Sequence, residues 1–439
     1  MLQRLGPSVV RAGETSSPAL FASKLEFNPP VHGPWNIVHL GTLVPESHQI
    51  YVCAINCMRG VVLTAYEMGA QDRFSCVVLK EEDILRGTVD EVTRAGIADV
   101  LHKLERRGAL PPCVMVFPVC THHFLGVHME HIYRELEQEF PGVDFVRAFM
   151  DPIMNRHLTP DQRLRRVMYD PLPACEPDPQ LVAHLGSDFA LDADCELRAL
   201  LAAGGYTLRE PQDCASYAEY KDLARASLLV ATYPNAQDGI ARLAKRLGRT
   251  YLYLPASFDY AEIAEQSARL CAALGLPLPD FEAEQLACDE ALAQAREVIG
   301  MAPITIDVAA HPRPLGMARL LLEHGFNVTE VYLDGASVED APALDWLREH
   351  APELQLSSIV LPELRIAPRT RPERTLAIGQ KAAWFCGTPH FVNMVEGAGL
   401  WGFAGIRGLA RLMVEAWAEE KDTHDLVPRK GLGCVTCAN

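Results

Sequence analysis

Short, almost wholly apolar runs alternate with amphipathic stretches along most of this chain, and few folds accept that alternation. Residues 49–54, 74–79, 112–119 and 143–149 read as strands, with helical spacing at 59–69, 88–107 and 123–140 between or after them. Within 88–107 the apolar residues Val92, Ile97, Val100, Leu101 and Leu104 recur at the period of a helix. The pattern continues through strands at 226–231, 250–255, 303–309 and 327–333. Helices follow at 238–247, 259–274, 282–301, 314–324 and 401–419, and short apolar runs at 356–361 and 383–386. Apolar runs without internal alternation belong to strands buried on both faces, so the chain is expected to form parallel sheets covered by helices.

The expected fold class is therefore α/β, built as three doubly wound, Rossmann-like domains. Their boundaries are read at 31–170, 171–300 and 301–420, with an amino-terminal arm at 1–30 and a tail at 421–439. The proline-rich stretch 171–179 (PLPACEPDP) reads as a linker. The length of 439 residues and the 49% hydrophobic content suit several buried cores.

A net charge of −17 argues against nucleic acid as a partner, because phosphate contacts need clustered Lys and Arg. No run approaches 18 consecutive apolar residues, so no membrane span is expected. The first residues lack the pattern of a secretory signal, which points to the cytoplasm. The chain lacks the glycine-rich phosphate loop of the G-x-x-x-x-G-K-[ST] type. It also lacks a G-x-S-x-G elbow and an H-E-x-x-H helix.

Thirteen cysteines at irregular spacing make a poor disulfide framework. Cys53, Cys57, Cys76, Cys113 and Cys120 crowd into 68 residues. Cys53 and Cys57 are spaced to bind one iron or zinc as thiolates, or equally to pack as small hydrophobes. Cys120 directly follows an expected strand and Cys57 follows another within a few residues. Ligands of open parallel sheets sit beyond the carboxyl ends of strands, so both cysteines can reach one crevice. His122, His123, His128 and His131 lie downstream and read mainly as surface or structural histidines. Gly397, Gly399 and Gly402 match G-x-G-x-x-G, a spacing that close packing of helix on sheet also explains. Cys434 and Cys437 form a C-x2-C in the tail.

Taken in order, these segments resemble the nitrogenase component 1 family. Ile50-Tyr-Val-Cys-Ala-Ile-Asn-Cys57-Met-Arg-Gly60 resembles its glycine-cysteine loop, and residues 114–120 resemble its second cluster strand and cysteine. Residues 305–335 resemble the opening of its third domain, and 387–405 the closing segment of its β-type subunit. The resemblance implies an iron–sulfur cluster at an interface between homologous subunits, [8Fe-7S] or [4Fe-4S], held by Cys57 and Cys120 with Cys53 as a further ligand. It implies an α2β2 assembly in which the α-type subunit carries the active-site metallocluster and a separate ATP-hydrolysing iron protein supplies electrons. Two departures stand out. The segment 34–41, where the family's first cluster cysteine falls, has none, and the strand 228–231 runs into Thr232 instead of an active-site cysteine. The chain thus resembles a β-type subunit of a nitrogenase-like reductase, with methylthio-alkane reduction as the expected reaction. Tetrapyrrole reduction, nitrogen reduction and cofactor assembly are the alternatives.

Overall fold

The computed structural model describes residues 8–15, 20–21, 37–151, 158–361, 371 and 373–426. Cys434 and Cys437 lie outside them, as does most of the amino-terminal arm. The chain is mixed α/β. Strand β1 (Val9–Arg11) is followed by β2 (Ser47–Cys53), β3 (Phe74–Val78), β4 (Cys113–Pro118) and β5 (Asp144–Arg147). Next come β6 (Asp178–His184), β7 (Thr207–Arg209), β8 (Ala226–Ala231) and β9 (Thr250–Tyr253). Last are β10 (Pro303–Asp307), β11 (Asn327–Leu333), β12 (Gln355–Ser358), β13 (Leu376–Ile378) and β14 (Phe391–Val392).

These strands make three sheets, in orders β3-β2-β4-β5, β7-β6-β8-β9 and β1-β12-β11-β10-β13-β14. All pairings are parallel except β1 on β12. Every residue of β2 and β4 is buried, which is why β4 reads as an uninterrupted apolar run; β2 also buries Ser47, His48 and Gln49. The chain divides into two compact units, each described by itself. One comprises residues 35–190 and 205–254 and holds the first two sheets. The other comprises 1–34, 191–204 and 255–439 and holds the third.

In the first unit the two faces of β2 feed two cores. Tyr51 and Cys53 pack on one side with Cys113, Met115 and Phe117, while Ile50 and Val52 pack on the other with Val114 and Val116. Tyr51 is stacked between Phe74 (5.0 Å) and Phe117 (4.3 Å). In the second unit the helix Phe281–Ile299 packs against the helix Gly402–Ala418, over a core that includes Ile304, Ile306 and Val331.

Two helices differ from the sequence expectation. The helix expected from residue 59 begins at Ile55, so Cys57 lies in its first turn and not in a loop. The single helix expected over 123–140 is two, Cys120–Phe124 and Met129–Glu139. Gly126, at φ +65°, marks the break.

Candidate iron–sulfur site

The first sheet positions the cysteines through its register. Val52 of β2 lies opposite Pro118 of β4, so the two strands end level. Beyond β2 the chain turns at Ala54 into the helix Ile55–Glu67, and the Cys57 amide donates to the Ala54 carbonyl (2.9 Å). Beyond β4 it passes Val119 and starts the next helix at Cys120. Neighbouring strands lie about 4.8 Å apart, so the two cysteines leave adjacent strands on the same edge. Cys57 is exposed and Cys120 half-buried.

The other three cysteines of the cluster are placed differently. Cys53 is the last residue of β2 and alternation turns it into the core, where it is wholly buried. Burial, with Cys57 and Cys76 nearby, pushes its thiol up to about 12. Cys76 sits opposite Tyr51, and burial pushes it up to about 11. Cys113 lies at the opposite end of β4, across from Ser47, roughly 20 Å of strand away from Cys120. Cys53 thus faces the core and Cys113 the far end of the sheet, so neither shares the open edge with Cys57 and Cys120.

The histidines separate in the same way. His122 is buried. It accepts from the Val119 amide (3.1 Å), contacts Thr93 Oγ1 (3.1 Å) and is lowered to about 4 by burial, so it is a neutral structural group. His128 accepts from the His131 amide (3.2 Å) and caps the helix Met129–Glu139. His123 is partly exposed and lies against Asp151, a residue that no sequence motif marked.

Exposed apolar side chains follow three of these strands in the chain. Ile55, two residues before Cys57, is 69% exposed, Leu85 is 87% exposed and Phe124 is 65% exposed. Each follows the carboxyl end of β2, β3 or β4. Among the described residues no three His, Cys, Asp or Glu side chains close around a single ion. A polynuclear cluster does not need that, because its ligands bind separate irons.

Elsewhere in this unit, at the end of β8, Thr232 is engaged. His184 Nε2 lies 2.8 Å from Thr232 Oγ1 and its Nδ1 lies 2.6 Å from Glu210 Oε1, all three being buried at the ends of adjacent strands. In the second unit Gly397, Gly399 and Gly402 all have positive φ. A Cβ on Gly402 would overlap the Glu196 carboxylate, which accepts from the Ala404 amide at the start of the helix Gly402–Ala418. A protein carboxylate thus stands where a dinucleotide's pyrophosphate would bind.

The family of nitrogenase component 1 type oxidoreductases matches residues 53–417, and the chain belongs to it. Two solved structures share the fold. "Nitrogenase Cp1 at pH 6.5" is similar at 12% identity and a TM-score of 0.66, over 92% of this chain and 95% of that one. "Nitrogenase Cp1 at pH 5" is similar at 13% identity and a TM-score of 0.58, over 93% of each. No curated protein matches the sequence. The family is one of oxidoreductases that bind iron–sulfur clusters, and its component 1 subunits typically work with an iron protein. Cys57 and Cys120 fit that chemistry: two accessible thiols, side by side at a sheet edge, are the soft donors a cluster needs.

Proposed function

We propose that this chain is the β-type subunit of the catalytic component of a nitrogenase-like reductase. Cys57 and Cys120 would hold an iron–sulfur cluster where a homologous α-type subunit docks. A cluster bound there would supply one-electron storage between an ATP-dependent iron protein and the α-type subunit's active-site metallocluster. The observation that carries this reading is the level ending of β2 and β4, which puts the two cysteines in the helix starts just beyond adjacent strands.

The protein's own contribution is positioning and exclusion of water. The two strands fix the spacing of the thiolates. The exposed Ile55, Leu85 and Phe124 are suited to burial under a partner, which dries the site and strengthens the hydrogen bonds that tune a potential. Cys53, turned into the core, serves as packing beneath them. Thr232, tied to His184, supports the β-type assignment, since its strand end offers no thiolate for an active-site metal.

The three sheets support three Rossmann-like domains, although the compact units join the first two. The reaction proposed is cleavage of a methylthio-alkane, in which two electrons and two protons convert the thioether to an alkane and methanethiol. It rests on the resemblance of the cluster loop; a tetrapyrrole reductase is the second choice. No helix among the described residues is long and apolar enough to cross a membrane, in keeping with a place in the cytoplasm.

The test is iron and sulfide analysis of the complex purified without oxygen. Cys57→Ala and Cys120→Ala should each lose most of the iron assigned to this site while the chain keeps its far-ultraviolet circular dichroism. Undiminished iron in both variants would overturn the assignment.

A further inference from the structure

The expected ligand set is one short. The family's upstream cysteine is missing, and Cys53 faces the core. The same sheet edge carries another donor. β5 flanks β4 on the side away from β2. Beyond β5, Met150 bridges Val119 in parallel register, which brings Asp151 level with Cys120. His123 lies one helical turn after Cys120, on the same side of the helix Cys120–Phe124. Cys57, Cys120 and the His123–Asp151 pair therefore follow one another along the ends of β2, β4 and β5.

His123 has two neighbours, Phe149 and Asp151, and Arg163 touches both of them. Its ring stacks on Phe149, with centroids 5.3 Å apart and planes 11° from parallel. Its Nδ1 stands 2.6 Å from Asp151 Oδ2. Asp151 has 1% of its side chain exposed, and its other oxygen is met by the Arg163 guanidinium. That guanidinium lies over the opposite partner of the stack, 4.8 Å from the Phe149 centroid. Asp151 Oδ2 is buried and takes no hydrogen bond, so the imidazole beside it is a close polar neighbour and not a hydrogen-bonded one. Partial burial and the Arg163 charge hold the imidazole below its ordinary range. Nδ1 faces Asp151, and Nε2 belongs to a ring that remains 38% exposed. A carboxylate on one ring nitrogen with the other left free is how metal-bound imidazoles are oriented and made more basic. His128 and His131 have no such buried carboxylate, and His122 has both nitrogens engaged inside the core.

We propose that His123 is the third ligand this chain offers to the cluster at Cys57 and Cys120, binding through Nε2, with Asp151 as its positioning residue. The proposal rests on the cluster reading given above. A site of two thiolates and one imidazole has a higher reduction potential than an all-thiolate site, because the neutral ligand stabilises the reduced, more negative cluster.

The experiment compares the anaerobic complex containing the wild-type chain with His123→Ala, His123→Cys and Asp151→Asn. Pulsed electron paramagnetic resonance of the paramagnetic redox state reads nitrogen bound to iron, and a potentiometric titration reads the midpoint. The wild-type spectrum should carry the coupling of a directly bound imidazole nitrogen. His123→Ala should lose that coupling and part of the iron. His123→Cys should restore the iron without the nitrogen coupling, at a more negative midpoint. Asp151→Asn should keep the iron and alter the coupling. A wild-type spectrum without bound nitrogen, or a His123→Ala complex with unchanged iron and midpoint, would overturn the proposal. If that happens while Cys57→Ala and Cys120→Ala still lose iron, only the third ligand is wrong. If those two variants also keep their iron, the cluster site itself is wrong.

Discussion

A cysteine's fate in this chain depends on which way its strand position turns it. Cys53 and Cys57 are four residues apart, yet one is buried in the core and the other is exposed at the start of a helix. Cys53→Ala should therefore keep the iron content of the complex and cost about 1 kcal/mol in a denaturant titration, as for a small buried side chain. Iron loss equal to that of Cys57→Ala would make Cys53 a ligand. Glu196 gives a second test at this scale. Burial pushes its carboxyl up to about 7, from an ordinary 4.5. The folded chain then binds a proton that the unfolded chain has lost, so this group's contribution to stability should fall as pH rises from about 4.5 to 7. Glu196→Gln keeps an acceptor for the Ala404 amide and should flatten that part of the stability–pH curve; an unchanged slope would contradict the raised value. Gly402, at φ +73° and against Glu196, should tolerate no side chain: Gly402→Ala is expected to cost about 1–3 kcal/mol or more. The cysteines' crowding was legible in the sequence. The His123–Asp151–Arg163 group was not, because its members are separated by 28 and 12 residues and only β5 and its extension bring them together.

Elements were legible where burial left a clean periodic signal. The apolar runs of β4, β8 and β10 stand out because both faces are covered. β6 is not legible as a strand, since its first two residues, Asp178 and Pro179, close the proline-rich stretch that reads as a linker. The helix Gln380–Cys386 read as a short apolar run because all seven of its residues are buried, which erases the amphipathic stripe by which helices are recognised. The helix start at Ile55 was placed four residues late, as Ala54 offers no capping side chain to mark it. Strand β4 is the element that sets Cys120, and Phe117 anchors it by stacking on Tyr51. Phe117→Ala should destabilise the chain by about 3–5 kcal/mol in denaturant unfolding. A loss below 1 kcal/mol would mean that the stack does not hold the strand.

At the scale of the whole molecule, the order of resemblances along the chain identified the family that the match over residues 53–417 establishes. The family's activity lies in an assembly, and this chain's proposed part in it is a relay and a docking face. The isolated chain has no phosphate loop and should hydrolyse no ATP in a phosphate-release assay; steady turnover by the purified chain would contradict the division of labour proposed here. The most direct test of the central claim is an anaerobic crystal structure of the complex, with anomalous scattering measured at the iron edge. Iron peaks within bonding distance of Cys57 Sγ and Cys120 Sγ, at the carboxyl ends of β2 and β4, are the predicted result. Iron elsewhere in the complex with none at this edge would contradict it.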